Sequence, residues 1–97
     1  MIFCVEDDNN IRDLLVYTLE TTGFHACGLV DSQELWKALA QEEPDLILLD
    51  IMLPGEDGYS ILDKLKKSSG TRDIPVIMVT AKEAEFDKVR ALEAGAD

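Results

Sequence analysis

Ninety-seven residues make one small domain, and a hydrophobic content of 46% is enough for a true core. Twenty acids against nine lysines and arginines give a net charge of −11, which argues against a surface that binds nucleic acid, because such a surface must supply cations to phosphates. No apolar run is long enough to span a bilayer, and no basic segment leads into an apolar signal region, so a soluble cytoplasmic protein is expected.

In chain order, residues 2–5 form a short apolar strand, followed at once by Glu6, Asp7 and Asp8. Asn9 and Asn10 suit a turn or a helix cap. Ile11, Leu14, Leu15 and Leu19 recur at helical spacing, and Gly23 stands where a C-cap glycine is expected. Residues 25–30 read as a second strand. Asp31 and Ser32 can cap a second helix with Leu35, Trp36 and Leu39 inward, stopped by Pro44. The oily run 46–49 is a third strand ending in Asp50, and a loop with Pro54, Gly55 and Gly58 follows. Ile61, Leu62 and Leu65 mark a third helix, closed by the polar stretch 68–71. Residues 74–79 form a fourth strand, with Pro75 tolerable near its start. Phe86, Val89 and Leu92 mark a fourth helix, closed by Gly95.

This β-α-β-α-β-α-β-α order predicts a parallel sheet with helices on both faces. Cys4 and Cys27 lie in apolar runs without C-x-x-C spacing, so both are expected as reduced core residues, and the lone His25 as structural.

Ligands of open α/β sheets bind beyond the carboxyl ends of the strands. The residues that follow the strands are Glu6, Asp7 and Asp8, then Asp31, then Asp50, then Thr80. If strands one, three and four are neighbours, several carboxylates and one hydroxyl share one edge. Carboxylates that close repel, and a hard divalent cation such as Mg²⁺ relieves them, often together with a phosphate. Each member also has a plainer role. Asp8 can simply cap a helix, Asp50 can close a strand, and Thr80 can be an ordinary strand-end residue. The constellation favours a nucleophilic Asp50 over those roles.

The segments FCVEDDNNIRDLL, DLILLDIMLPGEDGYSIL, IPVIMVTAKEAEFD and ALEAGAD resemble the receiver domain of two-component response regulators, in register over the whole chain. The MLPGEDG loop is most similar to the subfamily that carries a winged-helix DNA-binding domain. The resemblance implies a flavodoxin-like α/β fold of three layers with sheet order 2-1-3-4, continued in the family by a fifth strand. It implies that Asp50 accepts a phosphoryl group from a phosphohistidine of a sensor histidine kinase. Glu6, Asp7, Asp50 and the Met52 carbonyl would hold Mg²⁺, Glu6 by orienting its waters, while Thr80 and the Ala81 amide would bind phosphoryl oxygens. Met52 and Lys82 would tune water access.

The family continues past EAGAD with a fifth strand, a Lys-Pro dipeptide and a fifth helix, so residues 1–97 are expected to be a receiver domain incomplete at its C-terminus, with no output domain. The site lysine and the inward-swinging aromatic of the family have no counterpart here, and Lys82 follows the wrong strand to serve. Self-association through the fourth strand edge and fourth helix is a further expectation. Such a chain would be no enzyme beyond its own phosphorylation and dephosphorylation. It would act on an output, transcription, in the full-length regulator, touching neither DNA nor membrane itself. An aspartyl-phosphate phosphatase is the rival enzyme, but it would need Asp-x-Asp where Asp50 is followed by Ile51 and Met52. A flavin or nucleotide module lacks its glycine-rich loop. A receiver-like module that is never phosphorylated is the third alternative.

Overall fold

A strand that is apolar at every position must be covered on both faces, and β1 (Ile2–Val5) is buried along its whole length. The computed structural model describes residues 1–79; the fourth helix, Thr80, Ala81 and Lys82 lie outside the described residues. The elements that follow are α1 (Asn9–Thr21), β2 (Ala26–Leu29), α2 (Ser32–Gln41), β3 (Leu46–Asp50), α3 (Gly58–Lys67) and β4 (Val76–Val79). The strands are parallel and lie in the order β2-β1-β3-β4, as expected. Because β1→β2 and β2→β3 step in opposite directions across this sheet, right-handed crossovers put α1 on one face and α2 on the other, and α3 joins α2.

The core lies between β1, β3, β4 and the α2–α3 layer. Phe3, Val5, Ile47, Leu49 and Val76 meet Leu35, Ile61, Leu62 and Leu65 there. Each fully buried Leu or Ile contributes about 1.5–3 kcal/mol of transfer free energy. Helix starts are fixed by side-chain caps: Asp8 accepts from the Ile11 amide, Asp31 from Glu34 and Asp57 from Ser60, at 2.9–3.0 Å. Asp8 therefore takes the cap expected of Asn9 or Asn10, and both asparagines open the helix. Gly23 lies at φ +99° just past α1, a conformation that a side chain would strain.

Some expectations shift. The second strand is shorter than 25–30, and the fourth begins at Val76 because Pro75 has no N–H to donate; its carbonyl still accepts from Ile47 at 3.0 Å. On α1, Ile11 and Leu14 face outward at 42% and 64% exposure, while Arg12, Leu15, Val16 and Leu19 form the half-buried stripe. The two stripes interleave at spacings of three and four, so the pattern alone does not choose between them. Cys4 is buried beside Gly28, on the side that carries α1, whereas Cys27 pairs in register with Phe3 and packs on the opposite core. Both are free thiols, and burial pushes Cys4 up to about 11, which makes it unreactive.

Candidate phosphoryl and metal site

The carboxyl ends of β1 and β3 lie side by side, with Val5 paired to Leu49 in register. The chain beyond β1 therefore delivers Glu6 and Asp7 next to Asp50. Carboxylate oxygens of Glu6, Asp7 and Asp50 all come within 4.8 Å of one another. Glu6 is buried, Asp50 half-buried and Asp7 exposed, so the cluster opens to solvent on the Asp7 side. Asp31, at the end of β2, is occupied as the cap of α2.

Main-chain bonds hold both strand ends. The Glu6 amide donates to Leu29 O at 2.9 Å, tying the acid segment to β2. Ile51 is held twice: its amide donates to Val79 O at 3.3 Å, and its carbonyl accepts from the Gly58 amide at 2.9 Å. The Met52 amide donates to Asp50 Oδ1 at 3.2 Å and turns that carboxylate. Beyond it, Leu53 tucks into the core, and Gly55 at φ +82° reverses the chain. Glu56 then pairs with Lys64 and accepts from Ser60 Oγ at 3.3 Å, so the loop folds back onto α3. These contacts hold the Glu56 carboxyl below its ordinary range, with the Lys64 bond as the main cause.

Glu6 is pushed up to about 7, first by burial, then by sharing protons with Asp50 and Asp7; only the Asp8 amide, at 3.1 Å from Oε2, pulls the other way. Like charges at this separation near a protein surface cost on the order of 3 kcal/mol per pair. The chain relieves that cost by keeping a proton, and a divalent cation would relieve it by displacing the proton. Three hard oxygen donors converging from two strand ends, one of them buried, fit the oxygen preference of Mg²⁺.

Of the residues singled out in the sequence, Glu6, Asp7 and Asp50 are thus brought together, and Met52, 57% exposed, is tied to them through its amide bond to Asp50. Thr80 and Ala81 follow Val79, the register partner of Asp50, in sequence and lie outside the described residues. The reading of the sequence gave no task to Arg12 or Gly58, both of which contact the backbone of the site. Arg12 carried no clear signal, because the apolar pattern does not decide which stripe of α1 faces the sheet. Gly58 had none, since its contact with β3 is tertiary.

A parallel sheet in the order 2-1-3-4, with an acid cluster that could hold a metal ion across the ends of its two central strands, defines a doubly wound α/β protein with its candidate site at the carboxyl edge of the sheet. The response regulator receiver domain family matches residues 2–97, and the chain belongs to that family. It is 47% identical over 96 residues to the phosphate regulon transcriptional regulatory protein PhoB of Escherichia coli K12, and 41% identical to PhoB of Pseudomonas aeruginosa. These matches cover 99% of this chain but only 42% of each relative, so the chain spans less than half the length of the curated relatives it matches. The likeness to transcriptional regulators agrees with the subfamily expected from the MLPGEDG loop.

Solved structures agree on the fold. The N-terminal domain of a response regulator receiver protein from Methanoculleus marisnigri JR1 superposes with a TM-score of 0.90 at 35% identity, covering 99% of this chain and 78% of that one. A response regulator from Chloroflexus aurantiacus reaches 0.93 at 27% identity, covering 99% of this chain and 79% of the other. The signal receiver domain of a histidine kinase from Syntrophus aciditrophicus gives 0.87 at 38%, covering 99% and 73%.

Proposed function

We propose that residues 1–97 form a receiver domain in which Asp50 is the phosphoacceptor of a phosphorelay. The observation that carries this reading is the convergence of the Glu6, Asp7 and Asp50 carboxylates at the edge where β3 ends. An Asp50 oxygen attacks the phosphorus of a phosphohistidine on a sensor kinase. The new P–O bond forms as the P–N bond breaks, and the phosphohistidine ring, already protonated at its other nitrogen, leaves as neutral imidazole. Glu6, Asp7, Asp50 and the Met52 carbonyl are the residues that would hold Mg²⁺. Bound there, it would neutralise the acids and the phosphoryl oxygens.

The chain supplies the rest by position. The Met52 amide orients Asp50, Ile51 is pinned between α3 and β4, and Glu6 and Asp7 are presented by the end of β1. Thr80 and the Ala81 amide take the phosphoryl oxygens, by analogy with the family. The reaction is stoichiometric rather than a turnover, so the domain is a switch and no enzyme beyond its own phosphorylation and dephosphorylation. Control of transcription, which the relatives' names state for those proteins, is the output we assign to the whole regulator. None of the described helices is long and apolar enough to cross a membrane, and a cytoplasmic location suits such a partner of a sensor kinase.

The test is incubation with acetyl phosphate, with and without Mg²⁺, followed by intact mass, with Asp50→Asn alongside. A Mg²⁺-dependent gain of one phosphoryl group that the variant loses supports the reading. No gain, or an equal gain in the variant, refutes it.

A further inference from the structure

Arg12 sits one turn into α1, on the stripe that faces β2 and β1. Its Nη1 donates to Glu6 O at 2.8 Å and, at the long limit, to Asp7 O at 3.4 Å, while Nη2 donates to Asn9 Oδ1. The stem lies flat across β2 at Gly28. A Cβ there would stand 2.9 Å from Arg12 Cγ and 3.0 Å from Cδ, so the stem would have to shift to admit it. Gly28 thus leaves the space in which the arginine reaches the β1–α1 loop.

The two carbonyls held are those of the residues whose carboxylates reach Asp50. The direction of a Cα–Cβ bond is fixed when the peptide planes on both sides of that Cα are held: the Glu6 amide is bonded to Leu29 O at 2.9 Å and its carbonyl to Arg12, and the planes flanking Asp7 are those of the two carbonyls that Arg12 reaches. A planar fork of donors does this better than a point charge. The choice of acceptor matters equally. A guanidinium bonded to Asp7 or Asp50 would compete with a cation, whereas one bonded to neutral carbonyl oxygens orients the acids and leaves their charge unspent.

We propose that Arg12 is a positioning residue for the acid site, seated by Gly28, and that it sets metal affinity by holding the Glu6 and Asp7 main chain. The inference rests on the Mg²⁺ site assigned above. Outer partners of this kind change metal affinity by about 10-fold or more when removed.

The experiment is calorimetric titration of the protein with Mg²⁺, paired with urea unfolding, for wild type, Arg12→Met, Arg12→Lys, Gly28→Ala and Val16→Ala. Arg12→Met keeps the stem and loses the donors, and should weaken Mg²⁺ binding about 10-fold. Arg12→Lys should recover part of it through one ammonium contact, and Gly28→Ala should weaken binding by crowding the stem with every donor intact. Val16→Ala trims the same stripe without touching either carbonyl, and should lower stability while leaving affinity at the wild-type value.

If Arg12→Met unfolds cooperatively yet binds Mg²⁺ as wild type does, the positioning role is overturned. Should that variant not fold, wild-type affinity in both Arg12→Lys and Gly28→Ala overturns it equally. Affinity that falls in Val16→Ala as far as in Arg12→Met also overturns it, because general loosening would then suffice. A wild-type protein that takes up no Mg²⁺ removes the site and the Arg12 role together, which separates failure of the site from failure of this inference.

Discussion

Replacing Gly58 with alanine should damage both the fold and the site, for a reason unrelated to glycine's flexibility. Gly58 is the first residue of α3, and its backbone lies directly against the end of β3. An added Cβ would stand 2.3 Å from Asp50 O, 2.8 Å from Ile51 Cα and 3.1 Å from Asp50 C. All three atoms are main chain, so no rotamer change offers relief. Bringing the first contact out to about 3.0 Å requires α3 to back away from β3 by roughly 0.7 Å. The move stretches the 2.9 Å bond from the Gly58 amide to Ile51 O. It also loosens Ile61, Leu62 and Leu65, each 0% exposed. Overpacking of this kind costs about 1–3 kcal/mol, and alanine's advantage over glycine in a helix returns less than about 1 kcal/mol at a first-turn position. The net expectation is a loss of about 2 kcal/mol, a large share of the stability of a domain this size. Urea unfolding followed by far-ultraviolet circular dichroism measures it, with the slope against denaturant unchanged. Because the crowded atoms belong to the main chain of Asp50 and Ile51, phosphorylation by acetyl phosphate should slow in protein that is still fully folded. A loss below about 0.5 kcal/mol, or wild-type phosphorylation in a destabilised variant, would refute the reasoning.

Glu6 gives a pH dependence. Its folded pKa of about 7 lies above the ordinary 4.5, so the stability it contributes is fully present below 4.5 and is lost as pH rises through 7. Metal-free protein should therefore lose about 1–2 kcal/mol between pH 4.5 and 8, after allowance for screening on the open side of the cluster, and saturating Mg²⁺ should cancel the loss; a flat metal-free profile in urea unfolding would count against this. Asp50→Asn removes one like charge from the trio and should raise metal-free stability at pH 7.5 by about 1 kcal/mol while abolishing phosphoryl incorporation; a less stable variant would mean that the repulsion is already relieved. β4 is the outer strand of the described sheet and carries Ile77 at 46% exposure, so the mass from light scattering should rise with concentration, and Ile77→Lys should suppress the rise. A constant monomer mass would exclude pairing through that edge.

The central strands were legible because burial on both faces forces continuous apolar runs, as at residues 2–5 and 46–49. The acids were legible because topology delivers whatever follows such a strand to one edge, and Glu6, Asp7 and Asp50 sit immediately past two of them. The caps at Asp31 and Gly23 were equally local. What stayed hidden depends on contacts between elements. Ile11 and Leu14 look as inward as Leu15 and Leu19 until α1 is placed over β2. Gly28 reads as a weak strand residue until Arg12 lies across it, and Gly58 as a flexible loop residue until the main chain of Asp50 lies against it. Burial of Glu6 beside an exposed Asp7 and a half-buried Asp50 is a tertiary result too, and it separates a solvated acidic surface from a cluster that holds a proton near neutrality.

The distribution of cations completes the argument for a switch. Among the described residues no salt bridge reaches Glu6, Asp7 or Asp50: Lys64 pairs with Glu56, Lys67 with Asp63, and the chain amino group with Asp45. Arg12, the cation nearest in sequence, donates to carbonyl oxygens instead. An ammonium placed permanently among the three acids would stabilise the resting fold, and it would also occupy the charge that Mg²⁺ and a phosphoryl group have to meet. Leaving the trio unpaired keeps the resting domain less stable than it could be and makes its electrostatics depend on what binds. Phosphorylation of Asp50, as proposed above, would add about −1.5 to −2 charges beside the Ile51 amide that bonds Val79 O at 3.3 Å and the Ile51 carbonyl that bonds Gly58 at 2.9 Å. The Gly58 side is closed by main-chain contact and has no room to move inward. Of the two bonds at Ile51, the one to the end of β4 is the longer and is not backed by such a contact, so a displacement at Asp50 would meet less resistance on that side.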